Sequence, residues 1–179
     1  MTKIAVFGGS FDPPHIGHLY IIKEALEILE IEKLFLIPTF LNPFKTHSFF
    51  TPQQRLQWLN KIIYDKRVEI LDFEIKQNQA TPTIKTILHL EKTYHPKHIY
   101  LLIGADNLEK LPLWDSYLVL KNKVEFVIIP RKGYEIPKGY KVLDCKKIDI
   151  SSTHIRELLK KKDKSVLDFI PKALHNDFI

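Results

Sequence analysis

Thiols are almost missing from this chain: Cys145 is its single cysteine. A lone thiol closes no intramolecular disulfide, and with no carboxylate at ligand spacing beside a histidine pair it falls short of a zinc site. Long apolar runs are missing too. None approaches the roughly 18–20 residues that a bilayer-spanning helix needs. Strand-like residues begin so close to the N-terminus that the charged and apolar regions of a secretory signal find no room. A cytoplasmic protein without a membrane partner is expected. Internal repeats, low-complexity stretches and linkers are also lacking, and 179 residues suffice for one core without disulfides. One domain is expected over 1–179, its C-terminal helical part starting at about 151.

What is abundant is positive charge. The formal net charge is +6, which suits either nucleic acid or small polyanions. The lysines are spread along the chain, densest at Lys160-Lys161-Lys162, without interleaved aromatics. That run reads as a solvated helix end rather than an RNA patch, and no nucleic-acid partner is expected.

Apolar runs suited to buried parallel strands recur at 4–7, 34–37, 68–71, 99–103 and 124–129, with a shorter one near 141–143. Helical patterns lie between them. Leu19, Ile22, Leu26 and Leu29 have helical spacing. Thr51-Pro52-Gln53-Gln54 combines an N-cap, a first-turn proline and a capping-box glutamine, opening a helix through Leu56, Leu59 and Ile63. Another starts near Thr83 with Ile84, Ile87, Leu88 and Leu90 inward. The alternation predicts an α/β fold, a doubly wound parallel sheet of five to six strands with helices on both faces. The stretch 38–50 is the longest loop and leaves the second strand beside the first, where it either covers a ligand or merely connects.

The most informative segment is Gly8-Gly9-Ser10-Phe11-Asp12-Pro13-Pro14-His15-Ile16-Gly17-His18. It follows the first strand and opens an amphipathic helix. Two glycines let a ligand approach the backbone, and two imidazoles three residues apart share a face of the starting helix, whose free N–H groups favour anions. The unit reads as an anion cradle with two proton-carrying donors. A dinucleotide fingerprint needs G-x-G-x-x-G, and Gly8, Gly9 and Gly17 have the wrong spacing.

This segment resembles the H-x-G-H signature of the nucleotidyltransferase superfamily, which has a Rossmann-like fold. Ile150-Ser151-Ser152-Thr153-His154-Ile155-Arg156 resembles its I-S-S-T-x-I-R element, which binds ATP phosphates. With Gly104-Ala105-Asp106 and Trp114 between them, the chain is most similar to the bacterial nicotinate-nucleotide adenylyltransferase family. That resemblance implies adenylyl transfer from ATP to nicotinate mononucleotide. It gives His15, His18 and Arg156 catalytic roles and puts Gly8, Gly9, Ser10, Phe11, Gly17, Gly104, Asp106, Ser151, Ser152 and Thr153 around ATP. Lys45, Thr83, Trp114 and Arg131 would meet the mononucleotide. Asp106 could instead cap a helix and Trp114 could be a core tryptophan. No residue is assigned to a metal; Mg²⁺ is expected to arrive with ATP, held by phosphate oxygens and water.

Such a transfer needs no enzyme nucleophile, because the acceptor phosphate is already ionised. Alignment and charge neutralisation dominate, so N–H and cationic donors should line the site. Three positions depart from the family pattern. Phe44 replaces a histidine in Asn42-Pro43-Phe44-Lys45, Thr81-Pro82-Thr83 lacks a tyrosine, and Gln77 stands where an arginine is usual. The competing readings are transfer to nicotinamide mononucleotide or phosphopantetheine, and a nucleotide sensor without turnover. A tRNA synthetase would need more chain than this.

Overall fold

The computed structural model describes residues 2–145 and 150–178; Met1 and Ile179, the ends of the expected domain, lie outside them. Six strands form one sheet: β1 (Lys3–Gly9), β2 (Lys33–Pro38), β3 (Val68–Ile70), β4 (His98–Gly104), β5 (Glu125–Ile129) and β6 (Lys141–Val142). Every pairing is parallel and the order is β3-β2-β1-β4-β5-β6. The chain winds outward from β1 to β3, then crosses back to β4 and winds the other way. This reversal puts a crevice at the carboxyl ends of β1 and β4.

The strands are continuously apolar because both faces of the sheet are covered. Ala5, Phe7, Leu34, Leu36, Tyr100, Leu102, Val127 and Ile129 point to one face. There they pack on α1 (Ile16–Ile28), α2 (Pro52–Ile62) and the C-terminal segment with α6 (Ser152–Lys160). Their sequence neighbours Ile4, Val6, Phe35, Ile37, Leu101, Phe126 and Ile128 point the other way. That second core is closed by α4 (Thr83–Tyr94) and α5 (Tyr117–Lys123), while the four-residue α3 (Phe73–Lys76) leads into α4. Each buried Leu, Ile or Phe side chain contributes about 1.5–3 kcal/mol. The expected α/β doubly wound sheet is therefore found, with six strands.

Local signals set the helix starts. Thr51 Oγ1 accepts the Gln54 N–H at 3.2 Å with Pro52 at the first helical position, and Ser151 caps α6 by accepting from His154 N–H at 3.2 Å. Two inward faces differ from the sequence expectation. In α2 the buried set is Arg55, Trp58, Leu59 and Ile62 rather than Leu56, Leu59 and Ile63, an i, i+3, i+4, i+7 stripe turned by one residue. In α4, Leu88 is 45% exposed; it stands about 100° round the helix from Ile87, beyond the edge of the buried stripe. Lys160 ends α6, Lys161 caps it, and both are exposed with Lys162, as a solvated helix end requires. Among the described residues, no helix is long and apolar enough to cross a membrane.

Candidate active site

The turn after β1 is shaped by close packing. A Cβ on Gly9 would lie 3.1 Å from the Phe11 ring, so a side chain there would push the ring out of place. Phe11 adopts a left-handed φ of 47°, and its buried ring stands edge-on to Phe7 at 5.5 Å and to His18 at 4.8 Å. Gly8 is different. A Cβ there would meet only the Ile37 carbonyl oxygen, at 4.0 Å, so its outer face is open to the crevice.

His15 and His18 stack with ring centroids 3.7 Å apart. His15 is 2% exposed and lies behind His18, which lines the crevice. The His15 backbone N–H donates to His18 Nδ1 at 3.2 Å, leaving Nε2–H as the donor of the neutral imidazole. Burial, then the Arg131 charge, lowers the His15 pKa to about 3. Burial also holds His18 well below the usual histidine range, helped by His15 and Arg131. Both rings are therefore neutral near pH 7, each keeping one N–H to donate. One adjustment concerns the helix end: the Ile16 N–H already donates to the Phe169 carbonyl at 3.0 Å.

The two remote motifs are joined directly. Ser152 Oγ donates to the Pro13 carbonyl at 3.0 Å. Arg156 Nη1 donates to the Asp12 carbonyl at 2.7 Å, and Nη2 to Thr153 Oγ1 at 2.9 Å. Ser152, Thr153 and Arg156 line the crevice, whereas Ser151 is occupied as the α6 cap and Gly17 faces a small neighbouring depression. Asp12, 3% exposed, accepts the N–H groups of Phe49 and Phe50, each at 2.8 Å. The far end of the 38–50 loop is thus tied to the first motif.

Arg55 completes this stitching, a residue that sequence reasoning missed. It is fully buried and donates to the carbonyls of Ser10, Thr39, Phe40 and Phe50. One guanidinium thereby fixes the β1 turn against both ends of the loop. The loop places Lys45 in the crevice wall. Partial burial, then the Arg156 charge, lowers the Lys45 pKa. Lys45, Arg131 and Arg156 line one crevice, a field that favours a polyanion.

Across the crevice, Gly104 ends β4 and a Cβ on it would sit 2.2 Å from Asp106 Oδ1. Asp106 lies in the first turn of the 3₁₀ segment Ala105–Leu113, whose N-cap is Gly104, and stands 3.8 Å from Arg131 Nε. It does not cap that helix. Trp114 is half-buried; it packs on the second core and also lines the crevice, with Nε1 buried and without a partner among the described residues. Thr83, Thr86 and Glu74 complete this end. The crevice encloses about 310 Å³, within the size range of ligand pockets. Fourteen of the expected site residues line it, the exceptions being His15, Gly17 and Ser151.

The cytidylyltransferase-like family profile matches residues 6–158. The chain belongs to that family. Within it, a "Probable nicotinate-nucleotide adenylyltransferase" of Nitratiruptor sp. is 48% identical over 161 residues, covering 89% of this chain and 90% of that one. The Sulfurimonas denitrificans protein of the same description is 47% identical over 176 residues, covering 94% and 95%. A Plasmodium falciparum nicotinic acid mononucleotide adenylyltransferase complexed with NaAD superposes with a TM-score of 0.82 at 22% identity, over 100% of this chain and 95% of that one. At that identity the likeness speaks for the shared cytidylyltransferase-like fold.

Proposed function

We propose that this chain transfers AMP from ATP to nicotinate mononucleotide, releasing pyrophosphate and forming deamido-NAD by direct in-line attack without a covalent enzyme intermediate. The observation that carries this reading is the docking of Ser152 and Arg156 on the Pro13 and Asp12 carbonyls, which brings two phosphate-binding motifs into one crevice. The acceptor phosphate oxygen attacks the α-phosphorus and pyrophosphate leaves from the opposite side. Gly8, Gly9, Ser10 and Phe11 present backbone beside the nucleotide. Gly104 and Asp106 meet the adenosine, with the Asp106 carboxylate at the ribose hydroxyls.

His18 donates from Nε2 to the α-phosphate. The negative charge of the bound triphosphate raises the His18 and His15 pKa values from their depressed positions, so donation strengthens as charge develops. Arg156 and Thr153 receive the β- and γ-phosphates, with the Ser152 and Thr153 backbone N–H groups supplying further donors at the α6 start while the Ser151 hydroxyl holds its cap. Lys45, Arg131, Thr83 and Trp114 position the mononucleotide, the indole stacking on its pyridine ring. Gly17 and His15 support the first turn of α1.

Magnesium fits as an ion carried in by ATP. Asp106 and Glu74 are the carboxylates lining the crevice, and among the described residues no three His, Cys, Asp or Glu stand together as ligands. Bound to triphosphate oxygens and water, Mg²⁺ would supply charge neutralisation. The proposed setting is the cytoplasm, without nucleic-acid or membrane partners, and with the chain acting as one domain over its length. The test is pyrophosphate release with ATP and, separately, nicotinate mononucleotide, nicotinamide mononucleotide and phosphopantetheine. Fastest turnover with nicotinate mononucleotide supports the reading. Faster turnover with another acceptor, or ATP binding without any release, overturns it.

A further inference from the structure

Glu74 is a buried carboxyl in the crevice wall that the adenylyl-transfer chemistry does not use. It is 5% exposed. Its Oε1 accepts the Thr86 hydroxyl at 2.6 Å, while Oε2 is buried without a partner among the described residues. Thr83 and Thr86 are three residues apart on α4 and so share a face; both line the crevice, as do Glu74 and the unpartnered Trp114 indole. A buried carboxyl oxygen left unpaired is costly unless it carries a proton or meets a ligand donor or acceptor.

We infer that Glu74 works as a neutral carboxylic acid that reads the carboxyl substituent of the acceptor's pyridine ring, its Oε2–H donating to a carboxylate oxygen while Thr86 holds Oε1. This rests on nicotinate mononucleotide being the acceptor. An ionised Glu74 would face the acceptor carboxylate as a second negative charge, and two neighbouring carboxylates cannot both stay ionised cheaply. An amide substituent escapes this limit. Its carbonyl accepts from the protonated acid, and its NH₂ donates to the ionised one. The residue therefore makes the choice between acid and amide acceptors depend on pH.

Burial raises the Glu74 pKa to about 7, opposed by the Thr86 hydrogen bond. Several of the surrounding charges are engaged with one another. On α3, Asp72 and Lys76 pair at 2.9 Å. On α4, His89 stacks on Phe73 at 4.2 Å and Lys85 is exposed. Glu69 of β3 binds Lys33 of β2 at 2.6 Å and the Tyr94 hydroxyl of α4 at 2.7 Å. Lys45, Asp106 and Arg131 line the same crevice, with Asp106 3.8 Å from Arg131 Nε.

The experiment measures KM for nicotinate and nicotinamide mononucleotides at saturating ATP between about pH 6 and pH 8.5, taking their ratio so that ionisations of the shared phosphate and of the histidines cancel. In the unaltered protein the acid-to-amide KM ratio is expected to rise towards tenfold per pH unit above about 7. Glu74→Gln keeps a hydrogen-bond donor and the Thr86 contact but cannot ionise, so its ratio is expected to stay flat. Thr86→Val removes the bond that favours the ionised form and shifts the rise to higher pH. A flat ratio in the unaltered protein, a Gln variant that keeps the slope, or an unmoved midpoint in Thr86→Val overturns the inference. Dinucleotide formation from neither mononucleotide overturns the acceptor assignment itself, and this inference with it.

Discussion

The two ends of the crevice are built differently. At the end we assign to the phosphates, Asp12, Pro13, Ser152, Thr153 and Arg156 are already joined by hydrogen bonds. At the end we assign to the acceptor, Glu74 Oε2 and Trp114 Nε1 are buried and unpaired among the described residues. Reaction chemistry common to many acceptors needs fixed donors, and a preformed network supplies them without reorganisation. Discrimination between similar acceptors gains from polar groups that stay unpaired unless the right substituent comes in. In the proposed function one end is satisfied in advance and the other by its ligand.

The stitch between the ends is the place where the comparison breaks most easily. Arg55→Met removes the guanidinium from four carbonyls and takes one of the positive charges away from the buried Asp12, which keeps Arg156 at 3.8 Å. Stability should fall by about 3–5 kcal/mol, read as a lower urea midpoint; a loss below about 1 kcal/mol would show that the loops hold without it. His18→Ala comes next and tests the phosphate end alone. Turnover is expected to drop more than about tenfold with the circular dichroism spectrum unchanged, and near-normal kcat would remove His18 from the chemistry.

Smaller effects separate the substrates. Arg156→Lys loses the fork that spans the Asp12 carbonyl and Thr153. The KM for ATP should rise by about five- to tenfold with a lesser change for the mononucleotide, and an unchanged ATP KM would contradict the phosphate role. Gly104→Ala puts a methyl group 2.2 Å from Asp106 Oδ1, so the carboxylate must turn away. About a threefold rise in ATP KM is expected from the lost ribose contact; no change would place the adenosine elsewhere.

The contrast between the ends also governs what the sequence reveals. The proposed phosphate end comes from two short contiguous stretches, 8–18 and 150–156, in which backbone conformation and side chains act together, so their resemblance to a family's signatures picks them out. The parallel sheet is equally legible, since strands covered on both faces are uninterruptedly apolar. Arg55 and Glu74 escaped for a physical reason. Both are ionisable residues that ordinarily read as surface, and each is buried because distant segments supply its partners: Ser10, Thr39 and Phe40 for Arg55, and Thr86 for Glu74. The Trp58, Leu59 and Ile62 stripe did carry a hint, because it puts position 55 on the inward face of α2. The neutral state of the histidines depended on how deeply Phe11 and the C-terminal segment cover them, which spacing does not report.

A crystal structure with deamido-NAD bound tests the arrangement most directly. The adenosine is expected against Gly104 and Asp106, its phosphate beside His18, and the pyridine ring on the Trp114 indole with its carboxylate towards Glu74. A dinucleotide bound outside the β1–β4 crevice, or one whose pyridine ring lies away from Trp114 and Glu74, would contradict it.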